Sequence, residues 1–370
     1  MMEMEINLKE VTIAELYNGY EYDELSDILG YGGKLNIRPA FQREFIYKPQ
    51  QEQEVIRSVM RKFPLNVMYW SDEGDHYELL DGQQRTLSIC RYLDRAYSVD
   101  GKYFHNQPKD IQQRILDYKL LIYVCKGEPS EKLEWFNIIN ISGEQLTDQE
   151  RRNAVYTGPW LSDAKRRFSK LTGKGVLLGQ NYLNGDPKRQ KYLETAIQWA
   201  ANADKERFGG NIDEYMGQYH DKPNANDLML YFQKVINWVE LTFPKYDRLM
   251  KGLDWGRLYE TYHERQDWDT DGLQRELERL WMDDDVTNNA GAYEYVLGGD
   301  EKVLNIRKFS PAMAKAAYTR QQGICPICGK HFEINEMEAD HIDPWSKGGP
   351  TSADNCQMLC RECNRRKGAK

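Results

Sequence analysis

The alternation of apolar and polar positions predicts strands and helices over the first hundred residues. Three short segments have the composition and spacing of β-strands: Leu35 to Ile37, Asn66 to Trp70, and Tyr77 to Leu80. Pro49 opens a segment whose apolar residues recur at the helical period, and Thr86 to Leu93 has the same character. The pattern therefore predicts an α+β domain at the front of the chain.

From about residue 160 to residue 305 the apolar period is almost entirely helical. Clear examples are Tyr192 to Ala203, Asp227 to Phe243, and Gly272 to Met282. The tryptophans of this region are interpreted as core residues of a helical domain. The acidic run Asp283-Asp284-Asp285 is interpreted as a solvated loop or helix end.

The last 46 residues contain a metal-binding pattern. Cys325 and Cys328 form one thiol pair, Cys360 and Cys363 form another, and 31 residues separate the pairs. This spacing allows four thiolates to close a tetrahedron around Zn²⁺. Taken alone, the cysteines favour a plain zinc ribbon without catalytic function.

The segment between the thiol pairs changes that interpretation. Met337 to Ile342 is predicted as a strand, and Leu359 to Lys367 as a helix that starts on the second pair. Asp340-His341 ends the strand, Asn355 lies in the loop and Asn364 lies on the helix. In this order the tail resembles the HNH, or ββα-metal, endonucleases.

Hydrolysis of a phosphodiester needs a general base and a cation that neutralises developing charge. We assign His341 as the base, because imidazole is partly neutral near pH 7. Asp340 and Asn364 offer the hard oxygen ligands that suit Mg²⁺ or Mn²⁺. Asn355 is expected to hold the loop and the imidazole in register.

The basic run that follows Asn364 predicts a contact with DNA. It consists of Arg365, Arg366 and Lys367. Arg and Lys side chains bind the phosphate backbone without regard to sequence. The structural zinc is expected to fix the reach of Asn364, which directly follows Cys363.

A second polar cluster lies between a predicted strand and a predicted helix. It reads Asp81-Gly82-Gln83-Gln84-Arg85. The free N–H groups of a helix start attract anions, and phosphate is the obvious candidate. A solvated Asp-Gly turn explains the residues equally well, so the composition leaves both interpretations open.

Three ordered motifs in this region resemble the N-terminal domain of the GmrSD and SspE proteins. They are Pro39 to Tyr47, Asp81 to Arg85, and Asn140 to Leu146 with Glu150-Arg151. Those proteins are modification-dependent restriction and phage-defence nucleases. The resemblance implies a ParB-like or sulfiredoxin-like fold that binds and hydrolyses a nucleoside triphosphate.

The resemblance also implies a nucleotide site for GTP, ATP or CTP. Its residues would be Asp81, Gly82, Gln83, Gln84, Arg85, Gln42 and Arg43. Two features depart from the family pattern. Tyr47 replaces a common Trp, and the four-cysteine tail differs from the zinc-free nuclease module usual in these proteins. The substrate of those relatives therefore cannot be transferred directly.

Length and charge set the outer limits. A chain of 370 residues predicts more than one domain, and we expect a nucleotide-binding domain at 1–160, a helical connector at 161–305 and an HNH domain at 306–370. The net charge is −8. Residues 306–370 nevertheless contain 11 Lys or Arg against 7 Asp or Glu, so the nuclease end is the basic end.

The cysteine content favours a reducing compartment. Of 7 cysteines, Cys90, Cys125 and Cys356 lie outside the zinc pattern and are predicted to be buried thiols. No leader and no apolar run of about 18 residues is present, so we expect a cytoplasmic protein without a membrane span.

These features together predict a metal-dependent DNA endonuclease or nickase of a bacterial antiviral defence system, gated by nucleotide hydrolysis. Foreign or modified DNA is the expected partner, and a double-strand break requires a homodimer or two successive cuts. One alternative keeps the nuclease but makes the front domain a DNA- or nucleotide-binding sensor without turnover. Another makes the tail a non-catalytic zinc module of a DNA-binding regulator.

Overall fold

The computed structural model describes residues 4–22, 27–128, 131, 135, 146–265 and 267–368. It confirms a mixed α+β protein. The chain separates into two compact units, of which the first comprises Met1–Asn237 with Trp255–Arg257 and the second Trp238–Asp254 with Leu258–Lys370. The three-domain division expected from the sequence stays a prediction.

The first unit is built on a mixed six-stranded sheet. Its strands are β1 (Glu5–Thr12), β2 (Leu29–Gly30), β3 (Leu35–Asn36), β4 (Met68–Asp72), β5 (Tyr77–Asp81) and β6 (Lys119–Lys126). Their spatial order is β1-β6-β4-β5-β3-β2. The pairs β4–β6 and β3–β5 are parallel, and the other neighbours are antiparallel.

Four helices accompany this sheet in the described part of residues 4–128. They are α1 (Ile13–Tyr17), α2 (Pro49–Met60), α3 (Gln83–Leu93) and α4 (Lys109–Leu116). The core between helices and sheet includes fully buried Trp70, Ile56 and Ile89. The period-based helix prediction at Pro49 is confirmed, because its apolar face enters this core.

Helix α3 begins three residues earlier than the apolar pattern indicated. Gly82 precedes it with a φ of +100°, a left-handed conformation that glycine adopts without strain. A side chain at this position would also lie 2.7 Å from the Cγ of Met68. Gln83 and Gln84 therefore lie in the first helical turn, although their polarity had obscured the helix start.

Residues 146–265 and 267–305 contain helices and no strand. The helices are α5 (Asp148–Val155), α6 (Pro159–Phe168), α7 (Lys174–Gly179), α8 (Lys191–Ala203), α9 (Lys205–Phe208), α10 (Ile212–Tyr219), α11 (Asn226–Thr242), α12 (Trp255–Tyr262), α13 (Thr270–Trp281) and α14 (Ala292–Gly298). The helical periodicity of this region is thus confirmed. None of the helices in the described residues has the length and apolarity that a membrane crossing requires.

The C-terminal part of the second unit is a small helix and strand assembly. It contains α15 (Pro311–Gln321), the antiparallel strands β7 (Met337–His341) and β8 (Cys356–Cys360), and α16 (Arg361–Gly368). The predicted helix start at Leu359 is wrong. Leu359 and Cys360 pair with β7, where Cys360 lies opposite Met337, so the helix begins only at Arg361.

Candidate active site

Four cysteine sulfurs come together at one end of the β7–β8 pair. The ligand atoms of Cys325, Cys328, Cys360 and Cys363 all lie within 4.8 Å of one another, and those of Cys328 and Cys360 are 4.0 Å apart. Thiolates bound to zinc at about 2.3 Å are separated by roughly 3.8 Å in a tetrahedron. The cluster therefore fits the predicted structural Zn²⁺.

The electrostatics of the cluster favour a bound cation. Burial and the three neighbouring thiols raise the pKa of Cys363 to about 12. Burial also opposes ionisation of Cys325, but backbone N–H groups of Cys360, Cys328 and Ile327 lower its pKa to about 6. Sulfurs this close cannot all ionise unless a positive charge relieves their repulsion.

His341 ends β7 and is half-buried. Its ring lies 4.4 Å from the Phe309 ring, and its Nε2 lies 2.9 Å from the Thr351 Oγ1. Burial lowers the pKa of the His341 imidazole, against the raising effects of Asp340 and Asp285. The neutral, basic form is therefore favoured near pH 7.

The hydrogen bonds around Thr351 bear on the imidazole tautomer. The Thr351 hydroxyl has a single proton. In the arrangement where it donates this proton to the Arg307 carbonyl at 3.3 Å, the Nε2 of His341 is the donor in the 2.9 Å bond to Thr351. This arrangement leaves the Nδ1 lone pair of His341 available to accept a proton.

Asp285 holds this arrangement from the acidic run before α14. Its carboxylate accepts the Thr351 N–H at 2.7 Å, and its carbonyl accepts the Arg307 N–H at 2.8 Å. The carboxylate of Asp283 accepts the indole N–H of Trp345 at 3.1 Å. The run directly follows the end of α13, as predicted for a helix end, but it is not merely solvated, because two of its carboxylates bind groups more than sixty residues away in sequence.

Asp340 lies on the opposite face of β7 from His341, since side chains alternate along a strand. Its Oδ2 accepts from the Gln357 amide at 3.1 Å and from the Lys367 ammonium. Lys367 also donates to the His341 carbonyl. Asn364 bonds through its Nδ2 to the Glu338 carboxylate at 2.7 Å. Because Glu338 and Asp340 are two residues apart, their side chains share the face of β7 that Asn364 approaches.

Asn355 is buried and fixes the loop between β7 and β8. Its Oδ1 accepts the Asp343 N–H at 2.9 Å, and its Nδ2 donates to the carbonyls of Asp343 and Pro350 at 3.0 and 2.9 Å. Gly349 packs beneath this residue, where a side chain would lie 2.0 Å from the Asp343 carbonyl oxygen. The loop is thereby closed around one amide.

The basic run at the chain end separates into two environments. Arg365 and Arg366 are exposed, and Arg366 lies 3.3 Å from Glu362. Lys367 is half-buried and is directed at Asp340 and the end of β7. Of the three residues predicted to contact DNA, only Arg365 and Arg366 therefore lie on the open surface.

The front motif is engaged mainly with the main chain. Gln42 donates to the carbonyls of Leu79 and Leu80, and Gln83 donates to that of Arg43. The Gln84 Oε1 accepts the N–H groups of Ile46 and Tyr47 at 2.9 and 3.2 Å. These buried amides tie the 39–47 motif to β5 and α3.

Arg85 and Asp81 form a pair beside the start of β4. The guanidinium lies 3.0 Å from the Asp81 carboxylate and also donates to the carbonyls of Asn66 and Val67. Most of the third motif, residues 140–145, lies outside the described residues. Directly after it, Thr147 and Glu150 form a capping box at the start of α5.

Replacement of Asn355 by alanine is expected to weaken the β7–β8 loop. The change removes the partners of three main-chain groups, which costs about 2–4 kcal/mol of local stability. Hydrogen exchange of peptides from residues 337–360 measures this loss. Asn335→Ala, at an exposed position of the same unit, is the control, and equal protection in both variants would contradict the assignment.

Comparisons with known proteins agree with these two regions. Residues 23–157 match the model of the GmrSD restriction endonuclease N-terminal domain, and residues 325–370 match that of the HNH endonucleases. A segment of 60 residues is 42% identical to the type IV methyl-directed restriction enzyme EcoKMcrA of Escherichia coli strain K12. That match covers 14% of this chain and 22% of the relative. No solved structure matches the chain significantly.

The resemblances stated from the motifs are thereby confirmed at the level of domains. The ParB-like fold and the individual site residues stay predictions. The chain combines a GmrSD-type N-terminal domain with a C-terminal HNH endonuclease domain.

Proposed function

We propose that this protein is a DNA endonuclease of the restriction type, whose HNH domain hydrolyses phosphodiester bonds. The observation that carries the proposal is the end of β7, where the half-buried His341 imidazole and the Asp340 carboxylate lie on neighbouring residues, with the four-sulfur site at the other end of the β7–β8 pair. A plain zinc ribbon does not require His341, Thr351 and Asp285 to be connected by hydrogen bonds.

In this proposal His341 takes a proton from the attacking water at Nδ1, while Thr351 fixes the ring through Nε2. Asp340 and Asn364 would hold Mg²⁺ or Mn²⁺, which when bound supplies positive charge for the scissile phosphate and its leaving oxygen. Lys367 holds the Asp340 carboxylate in place. The exposed Arg365 and Arg366 are suited to the DNA backbone.

Thr351→Val tests the arrangement around the imidazole. Loss of the hydroxyl leaves the Nε2 proton of His341 without an acceptor, so we expect cleavage to slow by roughly tenfold with unchanged affinity for DNA. Thr351→Ser should restore the rate. Thr319→Val removes a hydroxyl from α15 and serves as the control; a Thr351→Val rate equal to that of wild type would contradict the role.

We also propose that modified or foreign DNA is the substrate and that the N-terminal domain gates cleavage through nucleoside triphosphate hydrolysis. Support comes from the match to the GmrSD N-terminal domain and from the similarity to a methyl-directed restriction enzyme. A non-hydrolysing sensor domain is the second candidate, favoured by the amides of Gln42, Gln83 and Gln84, all of which bond to the main chain.

Phosphate release separates the two candidates. With GTP, ATP or CTP supplied singly and methylated plasmid present, gating by hydrolysis predicts phosphate release with at least one nucleotide and cleavage that depends on it. The sensor candidate predicts cleavage without phosphate release. Cleavage that is independent of every nucleotide would contradict gating by hydrolysis, and would leave the sensor candidate and the HNH assignment intact.

A further inference from the structure

A cavity of about 300 Å³ opens in the first unit, and its lining includes none of the side chains of the 81–85 motif. It is lined by the segment between β3 and α2, by residues of α2 and α3, and by residues 169–172, which come directly after α6. The side chains that give it chemical character are Arg38, Glu44, Phe45, Tyr47, Glu52, Arg91, Lys170 and Lys188. The four cations outnumber the two carboxylates.

Two ion pairs are built into the wall of this cavity. Arg38 lies 3.1 Å from Glu44 and both are 9% exposed, whereas Arg91 lies 2.9 Å from Glu52. Buried ion pairs rarely add stability over apolar packing, because desolvation offsets their attraction. Charges retained at a cavity wall are therefore better explained by a polar ligand than by folding.

The cavity is held open by contacts behind its wall. The buried Lys165 donates from Nζ to the Ala40 carbonyl at 2.7 Å and to the Gln42 carbonyl. Gln84 accepts the N–H groups of Ile46 and Tyr47 from the other side. The wall is thus preorganised, which lowers the cost of binding a ligand.

Aromatic rings and cations face the same space. The rings of Phe45 and Tyr47 lie 6.2 Å apart, and the Arg91 guanidinium lies 5.0 Å from the Phe45 ring. Aromatic rings stack on nucleobases, while arginine and lysine bind phosphate. A volume near 300 Å³ is at the lower limit for ligand pockets, so it suits one nucleotide and not a dinucleotide.

We propose that this cavity binds a single nucleotide, with the base against Phe45 and Tyr47 and the phosphate on Lys170 and Lys188. The inference rests on the proposed nucleotide or DNA dependence of the enzyme, and it locates the ligand at residues other than those of the 81–85 motif. The nucleotide can be free in solution or turned out of a DNA duplex.

The test compares Lys170→Ala/Lys188→Ala with Lys174→Ala/Lys205→Ala in the full chain. Both double variants remove two positive charges, but Lys174 and Lys205 are exposed and lie outside the cavity. Calorimetric titration with GTP, ATP and CTP forms one arm. Fluorescence of a methylated duplex with 2-aminopurine beside the methylated base forms the other, because the signal rises when the stack opens.

We expect the cavity variant to lose roughly tenfold or more in affinity in one arm, and the control to match wild type. Loss of triphosphate binding identifies a free nucleotide, and loss of the 2-aminopurine signal identifies a base turned out of DNA. Equal binding by both variants would overturn the cavity while leaving nucleotide dependence standing. Failure of wild type in both arms would overturn the cavity and the gating together, but not the nuclease.

Discussion

Replacement of His341 by alanine is expected to lower the rate of DNA cleavage by at least about 100-fold, because His341 supplies the imidazole that accepts the proton of water at the end of β7. Zinc content and folding should be unchanged, since the ring makes one side-chain hydrogen bond and one ring contact in the described residues. Single-turnover conversion of supercoiled plasmid to open circles measures the rate.

His331→Ala is the matched control for this experiment. His331 is an exposed histidine of the same domain and is separate from the β7 site. The His331→Ala enzyme should cleave DNA at the wild-type rate. A DNA-binding regulator with a non-catalytic zinc module would show no cleavage in any variant, and a His341→Ala enzyme as active as wild type would refute the general-base assignment.

The second large effect concerns the sulfur cluster. Cys363→Ser is expected to lower zinc content and to abolish cleavage, because the sulfurs of Cys360 and Cys363 are at the junction of β8 and α16. Without the ion, α16 is no longer fixed, and Asn364 and Lys367 on this helix lose their positions. Zinc analysis of the purified protein and plasmid cleavage report the two consequences.

Cys356→Ala provides the control for the loss of a buried sulfur. Cys356 is fully buried on β8, the strand that ends at the zinc ligand Cys360, but it lies outside the four-sulfur cluster. Its replacement should cost about 1 kcal/mol of packing and leave zinc bound. Full zinc content in Cys363→Ser, or zinc loss in Cys356→Ala, would show that the ligand set is wrong.

The zinc cluster was predictable because its information is local. Two cysteine pairs at fixed spacing specify a tetrahedral site whatever fold surrounds them. Cys90, Cys125 and Cys356 were likewise predicted to be buried, and all three are. Long helices such as α8 and α11 were found for a similar reason, since an apolar stripe repeats along each of them.

Prediction from the sequence failed where polar residues begin a helix or strand, or where they complete a binding site. Strand β8 was missed because Leu359 and Cys360 were assigned to a helix that starts on the second thiol pair, and because its strand character depends on pairing with β7. Gln83 and Gln84 looked like ligands of a pocket, but their amides bond to the main chain. Composition does not indicate whether an amide faces solvent or backbone.

The sequence did not indicate which side chains position the His341 imidazole. Thr351 and Asp285 are 66 residues apart and belong to no motif, yet their hydrogen bond fixes the imidazole. Gln357 became relevant only through the register that brings it opposite Asp340. Such contacts are set by the tertiary structure, and no periodic pattern in the sequence indicates them.

The central proposal is that the His341 imidazole and a divalent ion hydrolyse DNA in a domain that a structural zinc ion stabilises. It is tested most directly by incubating the purified, zinc-loaded protein with Mn²⁺ and supercoiled plasmid, methylated or unmethylated, with each nucleoside triphosphate present or absent. We predict open circles or linear DNA under at least one condition, and none with His341→Ala. Plasmid that stays supercoiled under every condition would contradict the proposal.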